Sequence, residues 1–361
     1  MAVREVKFGI LGCAGIARKL TRAIALSPNS TVIAVGSRSE EKAAKFAREN
    51  GLPESVKLYG SYDGVLEDPE VDAVYVPLPT SLHWKWVRIA AGKKKHVLLE
   101  KPVALNAQEF DEILEACESN GVQIMDGTMW MHHPRTAQMK DFLLDTARFG
   151  QLKSVHSVFT FPLPKQLLET DIRTKPDLDA LGALGDQGWY CIGSILWAAD
   201  YSLPKSVLAI RDAALLNPAG VIMACSASLH WENGNTATFH CSFFASLAMD
   251  LSVVGTAGSL HLHDFIIPFE ESKASYSTSA NAGFKDLGTG WDPCPSEHVV
   301  FTELPQEVVM VSEFARLVGN VKSGGCGPEK KWAVLSRKTQ LVIDAVKSSV
   351  EKGYEAVEVV E

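Results

Sequence analysis

The chain has 361 residues, and 43 Asp+Glu against 35 Lys+Arg leave a formal net charge of −8. That balance argues against a nucleic-acid partner, which needs a basic face for phosphates. No stretch approaches about 18 uninterrupted apolar residues, so no membrane span is expected. The length suits two domains at roughly 100–200 residues each. Seven cysteines, odd in number and without a C-x-x-C, read as reduced thiols and point to the cytoplasm. Met1–Lys7 carries Arg4, Glu5 and Lys7 and reads as neither a signal nor a transit peptide.

In chain order, Val6–Leu11 reads as a strand, Ile16–Leu26 as a helix and Thr31–Val35 as a second strand. Ser39 has the character of an N-cap, with Glu40 and Glu41 in the first turn and Gly51 beyond the end. Ala73–Val76 and His96–Leu99 are short apolar runs of buried strands, with a helix over Ser81–Ala91 between them. Ala107–Asn120 places Phe110, Ile113, Leu114 and Cys117 on one face, and Gln123–Asp126 closes the series. This alternation predicts a doubly wound parallel sheet over residues 1–128.

Beyond it, Ser154–Phe161, Ser206–Arg211, Ile222–Trp231, Thr236–Ser242, Leu251–Val254 and Ser259–Ile267 are strand-like. Helices are expected over Gln187–Ala199, Val311–Ser323 and Arg337–Lys352. Residues 270–298, rich in Ser, Thr, Gly and Pro, read as a long surface excursion. Residues 129–361 are therefore expected to form an α+β domain on an antiparallel sheet.

The first strand runs into Gly9-Ile-Leu-Gly12-Cys13-Ala14-Gly15-Ile16-Ala17, a G-x-A-x-x-A turn. Gly12 allows the tight turn, Ala17 lets the helix pack closely on the sheet, and the helix N-terminus around Ile16 points its dipole at a pyrophosphate. The second strand ends at Ser37 and Arg38, where an NAD site normally has an acid for the ribose 2′-OH. Ser37, Arg38 and Lys42 instead suit a 2′-phosphate, so NADP is expected, with NAD left open. After the fifth strand, Glu100-Lys101-Pro102 sets Lys101 at the carboxyl edge of the sheet, where ligands bind in open α/β folds.

Four segments together resemble the glucose–fructose oxidoreductase, inositol dehydrogenase and MocA family: Gly9–Cys13, Pro77-Leu78-Pro79 through His83, His96-Val-Leu-Leu-Glu100-Lys101-Pro102, and Gly182–Tyr190. The resemblance covers essentially the whole chain. It implies a nicotinamide-binding Rossmann domain followed by a domain with a large open antiparallel sheet, whose open face commonly makes a homodimer or higher homo-oligomer. It implies hydride transfer between nicotinamide and a secondary alcohol or carbonyl, often on a sugar or cyclic polyol. It also implies cofactor contacts from Cys13, Ala14, Pro77, Leu78, Pro79 and Glu100. Many members carry Asp-x-x-x-His where this chain has Asp186 and Tyr190, which matches the branch of dimeric dihydrodiol dehydrogenases and NADP-linked D-xylose dehydrogenases. Met131 stands where members often show an arginine.

Reducing a carbonyl leaves an alkoxide that needs a proton donor and a positive neighbour. Tyr190 and Lys101 can supply both, in either division of labour, and Asp186 one turn earlier can orient the site or accept a substrate hydroxyl. His83 reads as a cofactor contact or a member of the proton path, and Trp130, His132 and Trp189 as pocket walls. His261-x-His263-Asp264 has the residue types of a metal site, but i and i+2 in a strand simply share one face and no third spaced ligand accompanies the two histidines, so no metal is expected. The competing expectation is a regulatory protein that binds NADP without turnover.

Overall fold

The computed structural model describes residues 5–361. As far as His132, strands and helices alternate: β1 (Val6–Leu11), α1 (Gly15–Leu26), β2 (Ser30–Gly36), α2 (Glu40–Glu49), β3 (Lys57–Tyr59), α3 (Tyr62–Glu67), β4 (Ala73–Val76), α4 (His83–Gly92), β5 (His96–Leu99), α5 (Ala107–Ser119) and β6 (Ile124–Asp126). The six strands form one parallel sheet in the order β3-β2-β1-β4-β5-β6. That is the doubly wound order expected. Every residue of β4 and β5 is buried, as helices on both faces require. The Ser39 side chain caps α2 by accepting from the Lys42 amide, and Gly51 leaves that helix at φ +63°. β3 and α3 are absent from the sequence expectation, because three and six residues are too few to display a period.

The next stretch holds α6 (Pro134–Leu144), β7 (Leu152–Thr160), a π-helical turn at Leu184–Gly188 and α7 (Trp189–Ala198). The strands β8 (Ser206–Ala209), β9 (Leu215–Leu216), β10 (Ile222–His230), β11 (Thr236–Ser242), β12 (Ala248–Gly255), β13 (Gly258–Leu262), β14 (Lys273–Ala280), β15 (Gly283–Phe284), β16 (Trp291–Asp292) and β17 (Ser296–Phe301) follow. The chain closes with α8 (Gln306–Lys322), α9 (Lys331–Glu351) and β18 (Val357–Glu358). A ten-stranded sheet runs β17-β14-β13-β12-β7-β11-β10-β8-β18, with β9 attached to β10. It is antiparallel except where β11 lies parallel to β7, so the expected antiparallel sheet is a mixed one.

Residues 270–298 are not a surface excursion throughout: β14 and the first half of β17 are paired sheet strands, and β15–β16 form a hairpin. In Lys273–Ala280 the serines alternate with buried Ala274, Tyr276 and Thr278, so one face of a Ser/Thr-rich strand is core. Composition pointed to a loop where period 2 decides.

The sheet has two unlike faces. One cross-strand row, Val207–Leu229–Ala237–Val155–Val253–Leu260, is buried, and α7 packs on β7 and β11. The adjacent row, Leu208–Ser228–Thr238–His156–Ser252–His261–Ser277–Glu297, is polar and open apart from its leucine.

Packing divides the chain into two units: residues up to His132 with Pro305–Arg337, and His133–Leu304 with Lys338–Glu361. A division at residue 128 assigns α8 to the second domain, whereas it packs with the first. α8 buries Val308, Val311, Phe314 and Val318, and Phe314 meets Phe8 of β1 with ring centroids 5.8 Å apart. Ser312 fixes the register through Ser27 (2.9 Å) and Asn29 (3.0 Å), and Lys322 pairs with Asp72.

Candidate active site

The phosphate turn takes its shape from Gly12. Its φ of +113° suits glycine alone, and an added Cβ would lie 3.1 Å from Leu78 Cδ2. The Gly12 amide donates to Gly36 O at 2.9 Å, tying the turn to the end of β2. α1 begins at Gly15 after Ala14, with no side-chain cap and no acid in its first turn. By contrast α2, α3 and α5 are capped by Ser39, Ser61 and Asn106. The positive end of α1 is thus left to an anion, and a Cβ on Gly15 would meet nothing within 4 Å. Ile16 lies in the first turn, and Ala17 is fully buried against the sheet. This geometry fits the diphosphate of a dinucleotide.

At the end of β2, Ser37 is buried, its amide bonded to Tyr59 O and its side chain to the Cys13 thiol. Burial pushes the Cys13 thiol up, and Cys13 Sγ donates to Lys42 O at 3.7 Å. Arg38 and the Lys42 side chain are exposed. Tyr62, which the sequence reading missed, sits beside this corner. Its hydroxyl lies 3.8 Å from where a Gly12 Cβ would stand, its phenol feels the Arg38 charge, and its ring meets Trp86 edge-on at 4.9 Å. It starts α3, the short helix that left no sequence signal.

Two further loops leave the carboxyl edge of the same sheet. Pro77-Leu78-Pro79 follows β4 and Glu100-Lys101-Pro102 follows β5. His83 is buried between them, with Nε2 2.8 Å from Leu78 O and Nδ1 3.2 Å from Val103 O. It therefore straps one loop to the other. Glu100 is buried beneath Lys101: Tyr75 Oη donates to Oε1 at 2.5 Å, and the Lys101 amide donates to Oε2 at 3.2 Å. Burial pushes the Glu100 carboxyl up, while the Tyr75 bond and the Lys101 charge pull it back. The neighbouring Gly127 leaves a side chain little space, since a Cβ would stand 3.0 Å from Glu100 Oε1 and press on the carboxylate. The Lys101–Pro102 peptide is cis, and Lys101 itself is partly exposed. Trp130 is buried in the Met129–His132 turn, and His132 stacks on Trp332 at 4.5 Å, with burial pushing its imidazole down to about 4.

In the second unit, Gly182 (φ +58°) sets the entry to the π-helical turn; a Cβ there would lie 2.1 Å from Ile222 O. Asp186 lies inside that turn, not one regular α-helical turn before Tyr190 as the sequence spacing implied. A π turn widens the helix by one residue and is frequent at functional sites. Asp186 is 9% exposed, and its Oδ2 accepts from Arg173 Nε at 2.8 Å. Tyr190 is buried with its ring edge-on to Phe159 at 5.6 Å, and Trp189 beside it is buried too. Arg173 is the second residue the sequence reading missed, because its partner lies across an irregular loop where no spacing rule applies.

The His261-x-His263-Asp264 group is dispersed: His261 contacts Ser259, His263 contacts Asp250, and Asp264 binds Arg135. Among the described residues, no three His, Cys, Asp or Glu side chains are grouped to hold a metal ion.

The profile of the oxidoreductase family with an NAD-binding Rossmann fold matches residues 6–128, and that of the GFO/IDH/MocA C-terminal domain matches residues 137–261. The chain is 32% identical over 348 residues to D-xylose 1-dehydrogenase (NADP(+)) 2 of Haloferax volcanii, covering 96% of this chain and 98% of that one. It is 32% identical over 267 residues to dTDP-3,4-didehydro-2,6-dideoxy-alpha-D-glucose 3-reductase of Streptomyces antibioticus, covering 74% and 78%. Among solved structures, the 3-ketoreductase KijD10 of Actinomadura kijaniata, in complex with NADP and TDP-benzene, superposes with a TM-score of 0.79 at 26% identity, covering 96% and 98%. The chain belongs to the GFO/IDH/MocA family of oxidoreductases.

Proposed function

We propose that this protein is an NADP-dependent oxidoreductase acting on a secondary alcohol or carbonyl of a sugar, cyclic polyol or related small metabolite. The observation that carries the reading is the buried Glu100 that holds Lys101 at the carboxyl edge of a dinucleotide-type sheet. The named relatives support it: one is an NADP(+) xylose dehydrogenase and another a ketoreductase solved with NADP. When bound, the nicotinamide supplies or accepts the hydride. Gly12, Cys13, Ala14 and Ile16 would hold the diphosphate, Arg38 with Lys42 and the buried Ser37 beside it would serve the ribose 2′-phosphate, and Pro77, Leu78, Pro79 and His83 would serve the nicotinamide end.

The chain's own residues then handle the proton. The Lys101 ammonium stabilises negative charge on the substrate oxygen, and the Tyr190 hydroxyl exchanges a proton with it; the reverse assignment uses the same two groups. Asp186 accepts a substrate hydroxyl, and Trp130 and His132 of the first unit and Trp189 of the second are proposed as substrate contacts. The ketoreductase was also solved with a lysine replaced by alanine and with a tyrosine replaced by phenylalanine, the two residue types invoked here. Two copies pair through the open polar face of the ten-stranded sheet. A reducing, cytoplasmic setting suits seven cysteines of which none is paired. No helix among the described residues is long and apolar enough to cross a membrane.

The test is a spectrophotometric panel of aldoses, cyclic polyols and dihydrodiols with NADP(H), run beside coenzyme binding. Lys101→Ala and Tyr190→Phe are expected to lower turnover by roughly 10²–10⁴ while coenzyme binding survives. Tight NADPH binding without turnover of any compound would instead make the protein a regulator on this fold.

A further inference from the structure

A carboxylate as deeply placed as Asp186 needs a positive or donating partner. Arg173 provides it from the turn Ile172–Thr174. That turn is rigidly anchored: Asp171 accepts from the Arg173 amide at 2.9 Å, Thr174 Oγ1 donates to Asp171 O at 2.9 Å, and Asn217 Nδ2 donates to Thr174 O at 2.8 Å. From there the guanidinium reaches two acids at once, Nε to Asp186 at 2.8 Å and Nη1 to Asp171 at 3.2 Å. Asp186 first, then Asp171 and Asp179, hold Arg173 well above the ordinary arginine range. One cation thus bonds two carboxylates, and Asp179 adds a further negative charge to its field.

We propose that Arg173 is a positioning residue that aims the Asp186 carboxylate at a hydroxyl of an uncharged sugar or polyol, and that the surplus of acid beside it turns away phosphorylated and nucleotide-linked sugars. The inference rests on the oxidoreductase reading above and narrows its substrate class. A carboxylate offers about four acceptor sites, and Arg173 Nε occupies one of them. Sugar hydroxyls are donors and match the sites that face them. Phosphate oxygens are anionic acceptors: they gain nothing from a carboxylate, and the arginine that would receive them already serves two acids. The inference sets this chain with the xylose dehydrogenase in substrate type and apart from the reductase of a dTDP-linked sugar.

The experiment compares kcat and KM for neutral pentoses, hexoses and cyclic polyols with those for sugar phosphates and a dTDP-linked sugar, all with NADP(H). Like-charge contact predicts a kcat/KM at least about tenfold higher for the neutral compounds. Arg173→Ala should raise KM for the best neutral substrate about tenfold, the worth of one charge-assisted hydrogen bond, with a smaller effect on kcat and unchanged coenzyme binding. Arg173→Lys should restore part of that loss, because charge returns without the planar fork. Asp179→Asn, which leaves the Arg173–Asp186 bond in place, should improve sugar phosphates several-fold and leave neutral substrates alone; it keeps the test open if Arg173→Ala fails to fold. Sugar phosphates or dTDP-sugars turned over as well as neutral sugars, or an Arg173→Ala enzyme with an unchanged KM, would overturn the inference and leave the oxidoreductase reading standing. NADPH binding with no turnover of any sugar would overturn both.

Discussion

Replacing Arg38 by alanine should remove most of the discrimination between NADP(H) and NAD(H). Three groups at the end of β2 could meet a 2′-phosphate, but the structure reduces them to one main contact. Ser37 is buried, with its amide on Tyr59 O and its side chain on Cys13. The Lys42 amide is capped by Ser39, and its ammonium is exposed one turn along α2. Arg38 is left to make the directed bond. A hydrogen bond to a charged group is worth about 1.5–3 kcal/mol, and exposure to solvent and salt places Arg38 at the lower end. About 1.5 kcal/mol is about a tenfold preference for NADP(H). Arg38→Ala should therefore weaken NADPH about tenfold and leave NADH unchanged, and added salt should narrow the wild-type preference but not that of the variant. Titration of both coenzymes by nicotinamide fluorescence or calorimetry reads each number directly. Equal wild-type affinities would refute the reasoning. An equal loss for both coenzymes would do so as well, and would move Arg38 onto the adenine side, next to Tyr62.

Two expectations concern stability. Arg135 is 1% exposed and bonds Asp264 through Oδ1 (2.5 Å) and its carbonyl (3.0 Å), so Asp264→Ala should cost about 3–5 kcal/mol by stranding a buried cation. A shift in the urea midpoint worth under about 1 kcal/mol would mean that water reaches the guanidinium. Burial pushes His96, His132 and His133 down to about 4 and Asp126 up to about 6. Below the ordinary histidine value, the unfolded chain binds three protons that the folded chain refuses, while Asp126 binds one in the folded state that the unfolded chain releases. Stability should therefore fall as pH drops from about 6.5 towards 4, by roughly 2–3 kcal/mol per unit near pH 5 for the net two protons. Denaturation midpoints that stay level across that window would contradict this balance.

The Rossmann half was legible because its signals are local. β4 and β5 fall on the residues expected, Ser39 caps α2, and Gly12 makes its turn with the positive φ that the motif demands. The failures have physical causes. Lys57–Tyr59 is too short to show alternation, and α6 begins at Pro134 and buries Arg135 and Thr136 beside Met139 and Phe142, so it carries no clean apolar stripe. In β14 the alternating Ala274, Tyr276 and Thr278 were hidden by a Ser/Thr-rich composition. Among the proposed site residues, Lys101, Asp186 and Tyr190 stand out by type and spacing. What holds them does not: the Tyr75 hydroxyl under Glu100 arrives from a neighbouring strand, and Arg173 reaches Asp186 from 13 positions away, across a loop without a period. The His83 strap, with both nitrogens against main-chain carbonyls, leaves no mark in the sequence beyond a histidine.

The return of α8 to the first unit shapes how the chain is made. Phe8 emerges at the start of synthesis, and the ring that covers it, Phe314, only after the whole of residues 133–304. At about 5–20 residues per second, those intervening residues delay closure by roughly 10–35 seconds. During that interval the nascent sheet carries an uncovered apolar strip on the side that Val311, Phe314 and Val318 later seal. A fragment ending at His132 would keep that strip uncovered, so the dinucleotide half completes its core only after the strands of the second unit have been made.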